Sequence, residues 1–492
     1  MIKMKRAIYV FFIILSLLLF FPLIKYRIFV KATPFTWIVD WSGSGHFRTI
    51  QEVFINGSVV DGDIIFVRKG TYSGNIIVNK SVSLVGEDAA STIIKGDETG
   101  SVITIVLVDN VSITNFTIRE SGNTVLDSAI YVEGSSGIRI NCNNIINNNN
   151  GIFLLTSINN SICGNTIVGN KNGISFFLSS GNVISDNTIT NSALYGIQLL
   201  SSTNNTIYHN NFQNVAQVRS DSVNIWTHCG EGNYWNDYNG TDFYSGPFQN
   251  ETGCDGIGDE PYIIDGNNQD SRPLMGMFSS FNVNLKTESF NVDVICNSTI
   301  SDFSFKIGEE TGNKIILFSV VGESDAISFC RLMIPTKLMN YPLILLVDEQ
   351  EVVPTLLSIS NATHSYIYFT YTDGEYSIIV ISSKTLTLYN ELFGLYNMLQ
   401  IDFYNLNTTY YSILNDYKTL LDAFAQLQNS YQELNVSYQE HLLKYSESAQ
   451  NFRNLIYVFA ITVAVFIIVT VYLSKHARVT IKTGTKALEE RE

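Results

Sequence analysis

Gly151-Ile152-Phe153-Leu154 recurs as Gly173-Ile174-Ser175-Phe176 and again as Gly196-Ile197-Gln198-Leu199, at intervals of 22 and 23 residues. Within each unit a second short strand follows, Asn160-Ser161-Ile162, Asn182-Val183-Ile184 and Asn205-Thr206-Ile207. A third completes it, as Asn165-Thr166-Ile167, Asn187-Thr188-Ile189 and Asn210-Asn211-Phe212. Ala129-Ile130-Tyr131-Val132 opens the preceding unit, with Ile140 and Ile145 in register. A period of ~20–25 residues built from three short strands and turn residues is the signature of a solenoid. No strand of about three residues can bury its apolar side alone. Stacked at the ~4.8 Å interstrand spacing, the Ile, Leu and Phe positions become continuous columns inside a parallel β-helix. Asn and Gly are expected at the corners, where the backbone turns left-handed.

Weaker rungs extend the pattern upstream through Ile76-Ile77-Val78, Val82-Ser83-Leu84, Ile93-Ile94, Val111-Ser112-Ile113 and Phe116-Thr117-Ile118. A solenoid end exposes apolar columns and strand edges and must be capped. Phe47–Phe54 reads as an amphipathic capping helix. The opening segment Trp41-Ser42-Gly43-Ser44-Gly45-His46-Phe47-Arg48-Thr49-Ile50-Gln51-Glu52, then Asp61-Gly62-Asp63-Ile64-Ile65-Phe66-Val67 and Gly70-Thr71-Tyr72, resembles the start of NosD-type right-handed β-helix proteins. The related carbohydrate-binding and sugar-hydrolase repeat domains are similar. The closing segment runs from Gly232-Asn233-Tyr234-Trp235-Asn236-Asp237-Tyr238 through Asp255-Gly256-Ile257-Gly258-Asp259 to Asn268-Gln269-Asp270 and Pro273-Leu274-Met275. It resembles the exit of archaeal surface members. The resemblance implies the fold and says little about function.

Composition sets the outer limits. A chain of 492 residues is too long for one ordinary domain. It is 45% hydrophobic and only 15% charged, against about 25% charged in a typical soluble protein. Disorder is therefore excluded for most of it. Thirty Lys and Arg against 45 Asp and Glu give a net charge of −15, which argues against nucleic acid as a partner. Six cysteines make no disulfide scaffold and show no zinc spacing.

Two apolar runs set the expected topology. Ala7–Ile24 follows Lys3, Lys5 and Arg6, the layout of a secretory signal. Residues 1–32 are read as signal peptide or signal anchor, with Val30-Lys31-Ala32 as the cleavage site. Leu455–Leu473 is uncharged and long enough to cross a ~30 Å hydrocarbon core. Lys475, Arg478, Lys482 and Lys486 follow it, so the positive-inside bias puts the tail 474–492 in the cytoplasm and the rest outside. Acceptor sequences for N-glycosylation stand at Asn56, Asn79, Asn110, Asn115, Asn159, Asn204, Asn239, Asn250, Asn297, Asn361, Asn407 and Asn435, none of them in the tail.

Chemistry is sparse. Pectinase-type catalysis needs clustered carboxylates, and Asp186 is the only one between Gly151 and Asn214. It reads as plain surface. Copper, implied by the NosD resemblance, needs soft or imidazole ligands. His209, His228, Cys229 and Met275 are available but form no repeated motif, so copper is not expected. Asp237, Asp242, Asp255, Asp259 and Glu260 crowd the Gly-rich exit segment and suit structural calcium, although their spacing is not that of an EF-hand. Cys229 and Cys254 bracket the same segment and are expected to pair. Cys142 and Cys163 are expected to be separate buried thiols.

Beyond the solenoid, assigned to 33–277, the repeat stops. Phe303–Ile307, Ile315–Val320, Leu343–Val347 and Tyr366–Tyr371 alternate as strands, and a β-sandwich over 281–383 is the default. Cys296 and Cys330 are placed to bridge two of its strands. Then the period becomes 3.5. Leu399, Phe403, Leu406, Tyr410, Ile413, Tyr417, Leu420, Phe424, Leu427, Tyr431, Leu434 and Tyr438 alternate in steps of 4 and 3, which predicts a coiled-coil stalk over 389–452. The whole reads as a mainly β chain: a right-handed parallel β-helix, a β-sandwich, a long coiled-coil helix and a transmembrane helix at 455–473. It is expected to be a membrane-anchored homo-oligomer at the cell surface, with a non-catalytic role toward glycans or envelope proteins. A polysaccharide lyase or hydrolase is the alternative, and a copper accessory protein stands behind it.

Overall fold

The computed structural model describes residues 33–322, 327–372 and 374–417, with isolated positions from 431 to 465. The signal segment, the span 455–473 apart from isolated positions, the tail 474–492 and most of the heptad seam beyond 417 lie outside the described residues. Among the described residues no helix is long and apolar enough to cross a membrane.

Each solenoid turn lays one short strand on each of three faces, as in Ile64–Val67, Gly70–Ser73 and Ile76–Val78. Successive turns pair in parallel into sheets of 8, 8 and 7 strands. The repeats of the sequence stack as expected, Ile152 beside Ile174 and Ile174 beside Ile197. Ile140, Ile162, Ile184 and Ile207 form one internal column, Ile145, Ile167, Ile189 and Phe212 another, and all are at most 1% exposed. At ~1.5–3 kcal/mol per fully buried side chain, these columns are the main source of solenoid stability.

Asparagine does more than turn corners. Left-handed corner positions are held by Asn115, Cys142, Asn147, Asp186 and His209 among others. The residue following many of them is an asparagine facing inward. Asn143, Asn165, Asn187, Asn210 and Asn233 are each at most 1% exposed, and each Nδ2 donates to the next Oδ1 at 2.9–3.1 Å. Asp270 ends this ladder by accepting from Asn233 and from the Trp235 indole. A second ladder, Asn160, Asn182, Asn205 and Asn224, ends on Asn268. The repeated Gly of Gly-Ile has a different cause. A Cβ on Gly151 would lie 2.4 Å from the Gly173 carbonyl and 2.9 Å from Ile167, and Gly173 is equally tight against Gly196 and Ile189.

The N-terminal end is closed by helix Ile50–Ile55, whose Thr49 and Glu52 cap each other reciprocally and which buries Ile50, Val53 and Phe54. At the other end Phe212, Trp235 and Tyr262 stack in series at 4.5 and 4.3 Å.

A sandwich of two five-stranded antiparallel sheets follows over Met277–Ser382. Its core includes Val292, Val294, Ile316, Phe318, Leu332, Ile367 and Val380. Ser328–Pro335 escaped the sequence reading because almost all of it is buried and alternation is lost. Cys296 and Cys330 are direct register partners, and their sulfurs stand 2.7 Å apart in the core. Helix Lys384–Tyr417 leaves the sandwich directly. Leu392, Leu399, Phe403, Leu406 and Tyr410, all on the heptad seam, are 54–70% exposed.

Candidate functional site

The acidic exit segment is a set of loop clasps. Asp242 accepts from the amides of Asp255 and Gly256, and Asp255 from Ile257 N and the Gln249 amide. Asp259 accepts from Phe243 N, Glu260 from Thr241, and Asp237 from the Tyr262 hydroxyl. Burial pushes the Asp242 carboxyl up to about 7 and raises that of Asp255. Among the described residues no group of three or more His, Cys, Asp or Glu is arranged as metal ligands. The expected Cys229–Cys254 pair is corrected: both are exposed free thiols, and the Cys254 sulfur donates to the Asp242 carbonyl. Cys142 and Cys163 are one position out of register, as expected. Neither is fully buried, because Cys142 occupies an exposed left-handed corner and Cys163 faces outward.

A buried charged cluster joins the solenoid to the sandwich. His209 Nε2 lies 2.8 Å from Glu231 and its Nδ1 3.5 Å from Asp186, while its ring stacks on Phe278 at 4.0 Å. Burial opposes the imidazolium, but hydrogen bonds to Asp186 and Glu231 prevail and lift its pKa to about 9. Arg331 of the sandwich pairs with the second oxygen of Glu231. Against the cost of burial, Arg331 and His209 hold Glu231 down at about 2. Sequence reading took Asp186 for plain surface and gave Glu231 and Arg331 no role, since nothing local marks residues that meet only after folding.

The third face carries the candidate binding surface. Thr104, Tyr131, Phe153, Ser175, Gln198 and Arg219 are register partners on successive strands. They alternate with Ile130, Ile152, Ile174 and Ile197 and so point away from the solenoid core. Thr104, Tyr131 and Gln198 are half-buried and Arg219 exposed, while Phe153 and Ser175 are buried among their neighbours. Tyr131 and Phe153 stack at 6.0 Å. The Tyr131 hydroxyl donates to Glu133 at 2.9 Å, and burial with that carboxylate raises it to about 12. Arg219 lies over the Tyr195 ring at 5.6 Å. Between these ends sits Asn172, whose Nδ2 donates to Asn150 Oδ1 at 3.0 Å. Its own Oδ1 is buried and has no partner. The row thus has an aromatic pair at one end and a cation at the other. Most Asn and Ser of the ladders face inward and are engaged with each other.

The family model of NosD, described as a periplasmic copper-binding protein, matches residues 48–240. The solenoid is a NosD-type parallel β-helix. A cell surface glycoprotein of Methanothermus fervidus is 36% identical to this chain over 101 residues, 20% of this chain and 16% of that protein. The chain thus spans about a sixth of that curated relative. Among solved structures, a carrot pectin methylesterase is similar at 14% identity and a TM-score of 0.25, over 41% of this chain and 77% of its own. An alginate lyase from Paenibacillus sp. str. FPU-7 is similar at 14% identity and a TM-score of 0.27, over 38% and 74%. Neither likeness transfers chemistry. The copper of the NosD description does not fit the residues described. His209 is held between two carboxylates, His228 packs on Tyr208 at 4.7 Å, and Met275 packs against an apolar cluster.

Proposed function

We propose that this is a cell-surface protein whose NosD-type solenoid holds an extended polysaccharide along the third-face row without cleaving it. The observation that carries this reading is the outward row that runs from the Tyr131–Phe153 aromatic pair through Ser175 and Gln198 to Arg219 over the Tyr195 ring. Aromatic faces accept the C–H side of a sugar ring, and strands repeating at ~4.8 Å suit a polymer laid along the axis. Glu133 is the only carboxylate among these side chains, whereas glycoside cleavage by acid and base needs two. Surface placement draws on the glycoprotein relative and on the apolar runs at both ends of the sequence. The exposed seam of Lys384–Tyr417 supports a parallel homo-oligomeric stalk leading to a membrane anchor, because the heptad continues beyond 417 and copies anchored alike are already parallel.

The test is a glycan array probed with the purified full-length chain, beside an assay for reducing and unsaturated sugar ends. Binding to a polysaccharide, weakened about tenfold by Tyr131→Ala and by Arg219→Ala (a loss of about 1.4 kcal/mol), is expected. Release of new chain ends would replace this reading with the lyase or hydrolase alternative. Capture of an envelope protein without any glycan would replace the ligand class.

A further inference from the structure

The N-terminal cap contains a concave site, apart from the third-face row. A cavity of about 230 Å3 lies between Trp41, the start of the cap helix and the strands of the first turn. Trp41 is 62% exposed. Its indole lies directly on Gly70, where φ is +150° and an added Cβ would sit 2.4 Å from the ring. Gly70 therefore lets the strand pass under the indole and fixes a large aromatic surface at the cavity edge.

The polar groups around that surface are free to bind. Among the described residues Arg48, like Arg139, Arg219 and Arg272, makes no ion pair within 4 Å. Its guanidinium rests beside Gly43 in the loop that carries Trp41, and its charge acts on Glu52. Gln51 Oε1 accepts from Ile77 N at 2.8 Å, which fixes the amide and leaves its NH2 as a donor. Thr71 and Ser73 add hydroxyls from the neighbouring strand. A fixed indole, an unpaired guanidinium, an oriented amide and two hydroxyls meet at one cavity.

We propose that this cavity binds a single sugar ring bearing a carboxylate, a hexuronate, with the ring on Trp41 and the carboxylate on Arg48. The volume falls below the ~300–1,000 Å3 of pockets for drug-sized ligands, so one ring fits and an oligomer does not. A planar guanidinium matches a carboxylate in bidentate fashion, which a neutral hexose cannot return. Thr71, Ser73 and Gln51 complement ring hydroxyls. An uncharged aromatic ligand would stack equally well but would leave Arg48 unused. The site shares no residue with the third-face row, so either can fail without the other.

Calorimetric titration of the purified full-length chain with glucuronate and galacturonate, against glucose and galactose, tests the assignment. Uronates should bind at least about tenfold more tightly than the neutral sugars, a difference of about 1.4 kcal/mol. Arg48→Met should erase that preference while leaving weak binding of both. Trp41→Ala should remove binding of all four, and Tyr131→Ala should change nothing. Thermal melts of each variant verify that the fold is kept. Absence of saturable uronate binding, equal affinity for neutral sugars, or full uronate binding by a folded Trp41→Ala chain would each overturn the proposal.

Discussion

Arg331 and Glu231, one hundred residues apart in the chain, form an ion pair between the sandwich and the solenoid exit, with the Arg331 side chain only 3% exposed. Arg331 also donates to the Asp255 carbonyl at 3.2 Å and lies over the Tyr366 ring at 5.4 Å. The pair is backed by an apolar contact of Ile257, Leu274, Phe278, Ile295 and Phe329. Phe278 further exchanges two hydrogen bonds with the side chain of Asn211, at 2.7 and 2.8 Å. The two domains are therefore expected to unfold as a coupled unit.

Removing one member of this pair strands a buried charge. Arg331→Met should cost about 3–5 kcal/mol in denaturant unfolding. Adding Glu231→Gln to it should restore part of that loss, although His209 then loses a carboxylate partner. If the two single losses simply add in the double variant, the coupling is absent.

The pH dependence has a defined sign. His209 is raised to about 9, so its contribution is complete below its unfolded value of 6.5 and fades as pH climbs through 9. Glu231, lowered to about 2, contributes above 4.5 and is lost as pH falls toward 2. Asp242, Asp270 and Asp293 are raised, mainly by burial, to about 7, 6 and 6. Raised carboxylates favour the folded state more as pH falls from those values to 3.8. Above about 4.5 only losses remain and toward 2 the Glu231 contribution disappears, so thermal stability is expected to peak near pH ~4. A maximum above pH 7, with a melting temperature lowered by chelator, would instead mean that Asp242, Asp255 and Asp259 hold calcium.

The cysteines separate into two groups. Non-reducing peptide maps of air-oxidised protein should recover Cys296 linked to Cys330, because register and a 2.7 Å sulfur separation already align them. Cys229 and Cys254 should alkylate individually. Recovery of a 229–254 linked peptide would contradict this.

The asparagine ladder should matter more than its polar composition suggests. Asn187 donates to Asn210, Ile162 and Ser185 and accepts twice from Asn165. Its replacement by Ala should cost roughly 3 kcal/mol or more, at ~1–3 kcal/mol for each buried group left unsatisfied. The exposed Asn123→Ala should stay within about 0.5 kcal/mol. Equal melts for the two variants would remove the ladder from the account.

The stalk predicts its own stoichiometry change. Light scattering of the full-length chain should give a multiple of the monomer mass, falling to the monomer when Leu399, Phe403, Leu406 and Tyr410 become Ser. A wild-type monomer at micromolar concentration would refute the coiled coil.

Sequence by itself determined the repeating parts. Gly-Ile at 22 and 23 residues, the capping helix read over Phe47–Phe54, and the heptad of Leu399 and Phe403 are local patterns. Their physical cause, one strand or one helical turn stacking on the next, recurs within a few dozen residues. Tertiary structure decided which residues are free to act. Asn165 and Asn172 look alike in sequence, yet Asn165 is a rung of the inward ladder between Asn143 and Asn187 while Asn172 lies outside it and donates to Asn150. Gly151 looked like a corner and proved to be a point of close packing against Ile145 and Ile167. Arg331, Glu231 and His209 carry no mutual signal, because a contact across 100 residues is fixed by how two finished surfaces fit and not by any pattern along the chain.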